Sequence, residues 1–200
     1  MAEVLDIYEA NAQAWDKDRG QPGGQLMERP YLDRLVDSLG ATAPHVLDVG
    51  CGSGDPIARY LIERGCRVTG VDGADAMVQI CADKFPQMNW VVADMRALDL
   101  GQRFDAIIAW DSFFHLEADA QRVMFPIFAQ HIAPRGLLLY TSGPSHGEAI
   151  GEIYGRSLYH ASLAADEYRS LLSANGFTVL MHTENDPQCG GHTVWLAQAA

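Results

Sequence analysis

Along the first forty positions, apolar residues recur at helical spacing. In "EVLDIYEANAQAWDKD" (3–18), Val4, Ile7, Tyr8, Ala12 and Trp15 fall near one face, and "GQPGGQ" at 20–25 breaks the helix. A second helix begins near Glu28, with Tyr31, Leu32, Leu35 and Leu39 along one side. The period then changes. "HVLDVG" (45–50) is an apolar run of strand length, followed by a turn and a helix through "PIARYLIERG". "RVTGVD" (67–72) and "ADAMVQICADKF" repeat that unit. "NWVVAD" (89–94), "FDAIIAW" (104–110) and "GLLLYTS" (136–142) continue the strand series, with helical segments near 118–132 and 164–174. The chain closes on "FTVLMHTE" and "HTVWLAQ", two strands joined by a short loop.

Strand–helix alternation at this pace predicts parallel strands joined by right-handed crossovers, an α/β doubly wound sheet. The last two strands leave no room for a crossover helix and are expected to pair antiparallel. Two hundred residues without repeat or linker read as one domain: 1–40 as N-terminal helices that form a flap or lid, and 45–200 as the catalytic core. At 48% hydrophobic and 20% charged residues the chain is globular. The formal charge of −12, with only 14 scattered Lys and Arg, argues against nucleic acid and anionic membrane surfaces as partners. The cysteines Cys51, Cys66, Cys81 and Cys189 form no C-x-x-C pair and no zinc spacing, and no apolar run approaches ~18 residues. A soluble, cytoplasmic protein, monomeric or homodimeric, is the expectation.

Ligands of open α/β sheets bind outside the carboxyl ends of the strands. Gly50, Gly52 and Gly54 follow the first strand at that place, and glycine there lets a ligand approach the main chain. Asp55 is expected to cap the next helix, with Pro56 in its first turn. An acidic cap opposes a pyrophosphate, and Asp55 stands where the dinucleotide fingerprint G-x-G-x-x-G wants its last glycine. The ligand is therefore read as one without phosphates. Asp72 ends the second strand, placed to accept the two hydroxyls of a ribose, and Asp94 ends the third, within reach of an adenine amino group. Either acid could instead cap its own turn.

Asp48-x-Gly50-x-Gly52-x-Gly54, then "VTGVDGADAMV" with Asp72, then "ADM" with Asp94, resemble the class I S-adenosylmethionine-dependent methyltransferases from about residue 28 onward. The resemblance implies a Rossmann-like three-layer αβα fold. Its seven-stranded sheet has the order 3-2-1-4-5-7-6, with the last strand antiparallel. It implies S-adenosylmethionine as cofactor and S-adenosylhomocysteine as product. By position, Asp48, Gly50, Cys51, Gly52 and Gly54 belong to the loop at the methionine part, and Asp72 holds the ribose. Gly73 and Met77 lie beside the adenosine, Asp94 and Met95 meet the adenine, and Trp110 and Asp111 border the sulfonium. Trp15, with Tyr8, either closes over the cofactor or packs in the core. Cys51 is read as a small loop residue rather than a nucleophile.

Methyl transfer from a sulfonium is an in-line displacement, so the protein chiefly aligns the acceptor and excludes water; a base is needed only where the acceptor must lose a proton. The acceptor is expected over the ends of the fourth and fifth strands. The topology brings His115, His146, Tyr159, His160 and His192 there as catalytic candidates, with Glu148 nearby. Each also has a plainer role: His115 packing or capping, His146 and Glu148 solvated, Tyr159 and His160 lining the pocket or packing, His192 satisfying main-chain groups. No two histidines have short ligand spacing, and no metal is expected. A small-molecule acceptor is the leading reading. The long segment after the fifth strand is suited to enclosing something compact, and "AWDSFF" lacks the "NPPY"-type tetrad of amino-methylating nucleic-acid enzymes. The alternatives are a nicotinamide-dependent oxidoreductase and a non-catalytic S-adenosylmethionine-binding regulator.

Overall fold

The computed structural model describes residues 2–19 and 26–200. Strands β1 (His45–Val49), β2 (Arg67–Asp72), β3 (Asn89–Val92), β4 (Phe104–Ala109), β5 (Ile132–Ser142), β8 (Phe177–Asp186) and β9 (His192–Ala199) form one sheet. Strands β6 (Gly147–Ile153) and β7 (Arg156–Ser162) form a separate hairpin. The large sheet runs β3-β2-β1-β4-β5-β9-β8. Neighbours from β3 to β5 are parallel, and β9 runs antiparallel to both β5 and β8. This is the expected order, with β8 and β9 as the sixth and seventh strands of the main sheet.

Because side chains alternate across a strand, each central strand feeds two cores, and burial on both faces explains its unbroken apolar run. Leu47, Ile107, Leu138 and Ala197 align as one row across β1, β4, β5 and β9. That face packs under α5 (Ala118–His131) and α6 (Ala165–Ala174) through Phe125, Phe128, Tyr168 and Leu172. Val46, Ile108, Leu139 and Leu196 point the other way, against α2 (Arg29–Ser38) and α3 (Ile57–Glu63). Each fully buried Leu or Phe contributes roughly 1.5–3 kcal/mol. The helix α4 (Asp75–Lys84) packs on β2 and β3.

The N-terminal pair divides in two. In α2, Tyr31, Leu32 and Leu35 belong to the main core, so this helix is a layer of the fold and not part of a flap. Only α1 (Ala2–Arg19) lies over the carboxyl ends of the strands, held by two small apolar patches. Val4 and Ile7 meet Leu158 of the hairpin; Tyr8, Ala12 and Trp15 meet Ala74, Met77 and Ile80 of α4. The "GQPGGQ" break at 20–25 falls outside the described residues.

Three local features differ from the sequence reading. The segment after β5, read as a long loop, contains the hairpin β6–β7, whose Tyr154-Gly155 turn has φ of 50° and 71° at its two central positions, the mirror-image turn that suits strand twist. β5 begins at Ile132, four residues earlier than expected. Asp55 does not cap α3; its buried carboxylate pairs with Arg59 and Lys84 instead. The negative charge at this helix start is thereby neutralised, so the expected repulsion of phosphates by Asp55 does not hold.

Candidate functional site

The loop after β1 is drawn tightly against its neighbours. The amides of Gly50 and Cys51 both donate to the Val71 carbonyl, at 2.7 and 3.1 Å. Gly50 has φ +78°, and a Cβ there would lie 2.3 Å from Ser112 Cβ, so the position admits only glycine without a backbone shift. Gly52 N–H donates to Asp72 Oδ2 at 2.9 Å, while Asp72 Oδ1 accepts from Ala74 N–H at 2.9 Å. Burial pushes the Asp72 carboxyl up, and these amides partly oppose that. A third glycine, Gly54, faces Phe85 and Cys81 of the α4 region.

Beneath α1 lies a cavity of 70 Å³ into which Trp15, Gly50, Gly52, Asp72, Gly73, Met77, Met95, Asp111 and His115 converge, together with Leu5, Tyr8 and Ser112. Asp48, Cys51 and Trp110 line a smaller neighbour on the other side of the glycine loop, with Arg19 at its rim. Asp48 sits in mid-β1 beside Gly70 and Ile108, where burial, then the Asp72 charge, pushes its carboxyl up to about 7. Asp94 is placed elsewhere. It caps the Met95–Ala97 turn and pairs with Arg96 at 2.6 Å, exposed. The reason is local: an arginine two residues on captures the carboxylate.

At the end of β4, Asp111 has φ +47°, an uncommon conformation for a non-glycine residue. It is over-determined there. Its N–H donates to Thr141 Oγ1 at 2.9 Å, and His192 Nε2–H donates to its Oδ2 at 3.0 Å. The other His192 nitrogen donates to the Cys189 carbonyl at 2.6 Å. The Asp111 hydrogen bond, above all, pushes the His192 imidazole up. His192 thus meets the site edge through Asp111 and packs its ring 5.4 Å from that of Trp110.

His115 joins three elements. The Tyr8 hydroxyl donates to its Nε2 at 3.2 Å, and its Nδ1–H donates to the Tyr159 carbonyl of β7 at 2.8 Å. Desolvation pushes this imidazole down to about 4, so it stays neutral near pH 7. The His160 ring lies 4.8 Å from that of His115, and behind it opens a larger cavity of 430 Å³ with His146 and Glu148 on its rim. Tyr159 packs its ring with the Val4–Ile7–Leu158 patch and offers the site its carbonyl.

Sequence reasoning missed the contributions of Leu5 and Arg19. Leu5 covers Gly73, whose Cβ would lie 2.7 Å from Leu Cδ2. Ser112 Oγ and Trp110 Nε1 are buried without a hydrogen-bond partner among the described residues, and each lines one of the two cavities flanking the glycine loop. Arg19 pairs at 2.7 Å with Glu28, which is only 2% exposed. No spacing signal announces that pair.

The residues suit a nucleoside sulfonium. Asp72 and Asp111 bring carboxylates to the cavity, favourable to a cation bearing hydroxyls; Met77 and Met95 supply apolar walls, and two buried donors, Ser112 Oγ and Trp110 Nε1, are without partners among the described residues. The volume under α1 is well below the ~300 Å³ of small ligand pockets. Among the described residues, no cluster of His, Cys, Asp or Glu could hold a metal, and no helix is long and apolar enough to cross a membrane.

Comparison with known proteins agrees with this geometry. A family described as a methyltransferase domain matches residues 46–136. An N,N-dimethyltransferase of dTDP-4-amino-2,3,4,6-tetradeoxy-D-glucose from Saccharopolyspora spinosa is 30% identical over 134 residues, 66% of this chain and 51% of that protein. A ubiquinone biosynthesis O-methyltransferase from Coxiella burnetii is 34% identical over 146 residues, covering 70% and 61%. The chain thus spans between half and two thirds of the length of these relatives. In fold, it is similar to magnesium protoporphyrin IX methyltransferase from Synechocystis, with TM-score 0.76, 19% identity and coverage of 100% and 99%. The methyltransferase-domain match thus takes in the glycine loop after β1 and the acid ending β2, and the sheet with its antiparallel β9 has the fold of that solved methyltransferase.

Proposed function

We propose that the protein transfers a methyl group from S-adenosylmethionine to a small-molecule acceptor. The carrying observation is the convergence of Gly50, Gly52, Asp72, Met77, Met95 and Asp111 on one cavity at the carboxyl edge of the sheet. The cofactor, when bound, supplies a methyl group already activated by the adjoining positive sulfur. What remains for the chain is to bind, orient and exclude water. Asp72 accepts the ribose hydroxyls, Gly73 and Met77 flank the adenosine, and Met95 borders the adenine. Asp111, anchored by Thr141 and His192, sets the negative charge facing the sulfonium. Trp110 Nε1 and Arg19 are donors for the ligand's carboxylate.

His115 supports acceptor orientation better than strong base catalysis. Its Nε2 lone pair faces the cavity, but an imidazole pushed down to about 4 holds a proton weakly. Tyr8 keeps that lone pair engaged while α1 is closed. The acidic balance of the chain supports a compact acceptor over nucleic acid.

Calorimetric titration with S-adenosylhomocysteine tests this reading. Asp72→Ala and Asp72→Asn should each weaken binding at least tenfold, since a hydrogen bond to a charged group contributes ~1.5–3 kcal/mol. Asp72 also ties Gly52 and Ala74, so the Asn variant should keep more of the thermal stability than the Ala variant. Unchanged affinity in both variants overturns the assignment.

A further inference from the structure

The 430 Å³ cavity stands apart from the cofactor cavity, separated by the His115 and His160 rings. Its floor is the end of β5, at Ser142 and Gly143, and its far wall is the hairpin through Glu148, Ala149 and His160. The hairpin makes room for the imidazole: a Cβ on Gly151 would lie 3.1 Å from His160 Cε1. Phe114 lies 5.3 Å from the His160 ring at 41°, so two flat surfaces bound the side nearest the cofactor. The lining carries serine hydroxyls and one carboxylate, Glu148, and among the described residues no Lys or Arg.

Resting on the methyl-transfer reading above, we propose that this cavity is the acceptor site and that it selects a compact aromatic acceptor, uncharged or cationic, against anionic ones. Flat π-surfaces favour an aromatic ring. An anion entering this lining meets Glu148 and no guanidinium or ammonium, within a chain of charge −12. The volume falls in the range of sites for small organic ligands. The reactive edge of the acceptor then lies at His160, whose ring has to turn aside for the acceptor atom to come within ~3.5 Å of the methyl carbon.

Three para-substituted phenols of similar size separate charge from shape: tyramine (cationic tail), tyrosol (neutral) and 4-hydroxyphenylacetate (anionic). Their binding to the protein, with and without S-adenosylhomocysteine, is followed by ligand-observed NMR. Tyramine and tyrosol should bind, 4-hydroxyphenylacetate at least ~3-fold more weakly, the scale of an exposed charge contact. The saturated counterpart of tyramine, 4-(2-aminoethyl)cyclohexanol, should also bind more weakly. Glu148→Gln should narrow the preference for tyrosol over 4-hydroxyphenylacetate. Ala149→Trp, at an exposed lining position, should abolish phenol binding while leaving S-adenosylhomocysteine affinity unchanged. Equal binding of the anionic phenol, no phenol binding at all, or indifference to Ala149→Trp overturns the proposal. Failure to bind S-adenosylhomocysteine falls instead on the methyl-transfer reading, and the phenol series without it still scores the cavity.

Discussion

Ser112 shows how a single hydroxyl can report on a ligand. Its Oγ is buried, faces the bare Gly50 and has no hydrogen-bond partner among the described residues. Removing it should cost the free protein nothing, because no bond is lost and an unsatisfied group disappears. Ser112→Ala should therefore keep or raise the melting temperature. It should weaken S-adenosylhomocysteine binding about three- to tenfold if the hydroxyl meets the cofactor. A fall in stability without a change in calorimetric affinity would show that Ser112 only packs. Residue positions were unequally legible in the chain. The place of Asp72 was readable because it ends a strand 22 residues beyond Gly50, and the structure sets it against the glycine loop. The pairing of Asp94 with Arg96 was not, since strand-end logic gives no weight to an arginine two residues later.

Among elements, the helices and central strands were legible because their burial imposes a period. The hairpin β6–β7 was not. β6 is exposed on both faces over most of its length, so nothing forces its residues to alternate, and Tyr154-Gly155 was its one local signal. The role of α1 also lay beyond reach, since its apolar stripe fits a cover or a core helix equally. In the structure its partners form two satellite clusters distinct from the sheet's main cores. Deleting residues 1–19 should therefore lower the melting temperature yet leave one cooperative transition, while S-adenosylhomocysteine affinity is lost. A broad, non-cooperative melt would make α1 an integral part of the core.

The molecule as a whole carries two opposed proton linkages near its site. Asp48, pushed up to about 7, keeps a proton that the unfolded chain releases near ~3.9, so its contribution to stability declines as pH rises between those values. His115, pushed down to about 4 against ~6.5 when unfolded, acts in the other sense: stability rises with pH across that window. Each slope is at most about 1.4 kcal/mol per pH unit, and they largely offset. Asp48→Asn removes one of them. Relative to the wild type, this variant should gain stability steadily from pH 4.5 to 7 in urea titrations. Curves that stay parallel over that range would place the Asp48 carboxyl in its ordinary range.

With Tyr8 and Leu5 projecting into a space of 70 Å³, the amino-terminal segment sets a schedule as well as a shape. If this segment is a lid, a nucleoside entering there should wait for an excursion of its cover. Stopped-flow mixing with S-adenosylhomocysteine should show an observed rate that climbs with concentration and then levels at the opening frequency. Shortening the Val4 and Ile7 side chains, which fasten that segment to the hairpin, should raise the plateau.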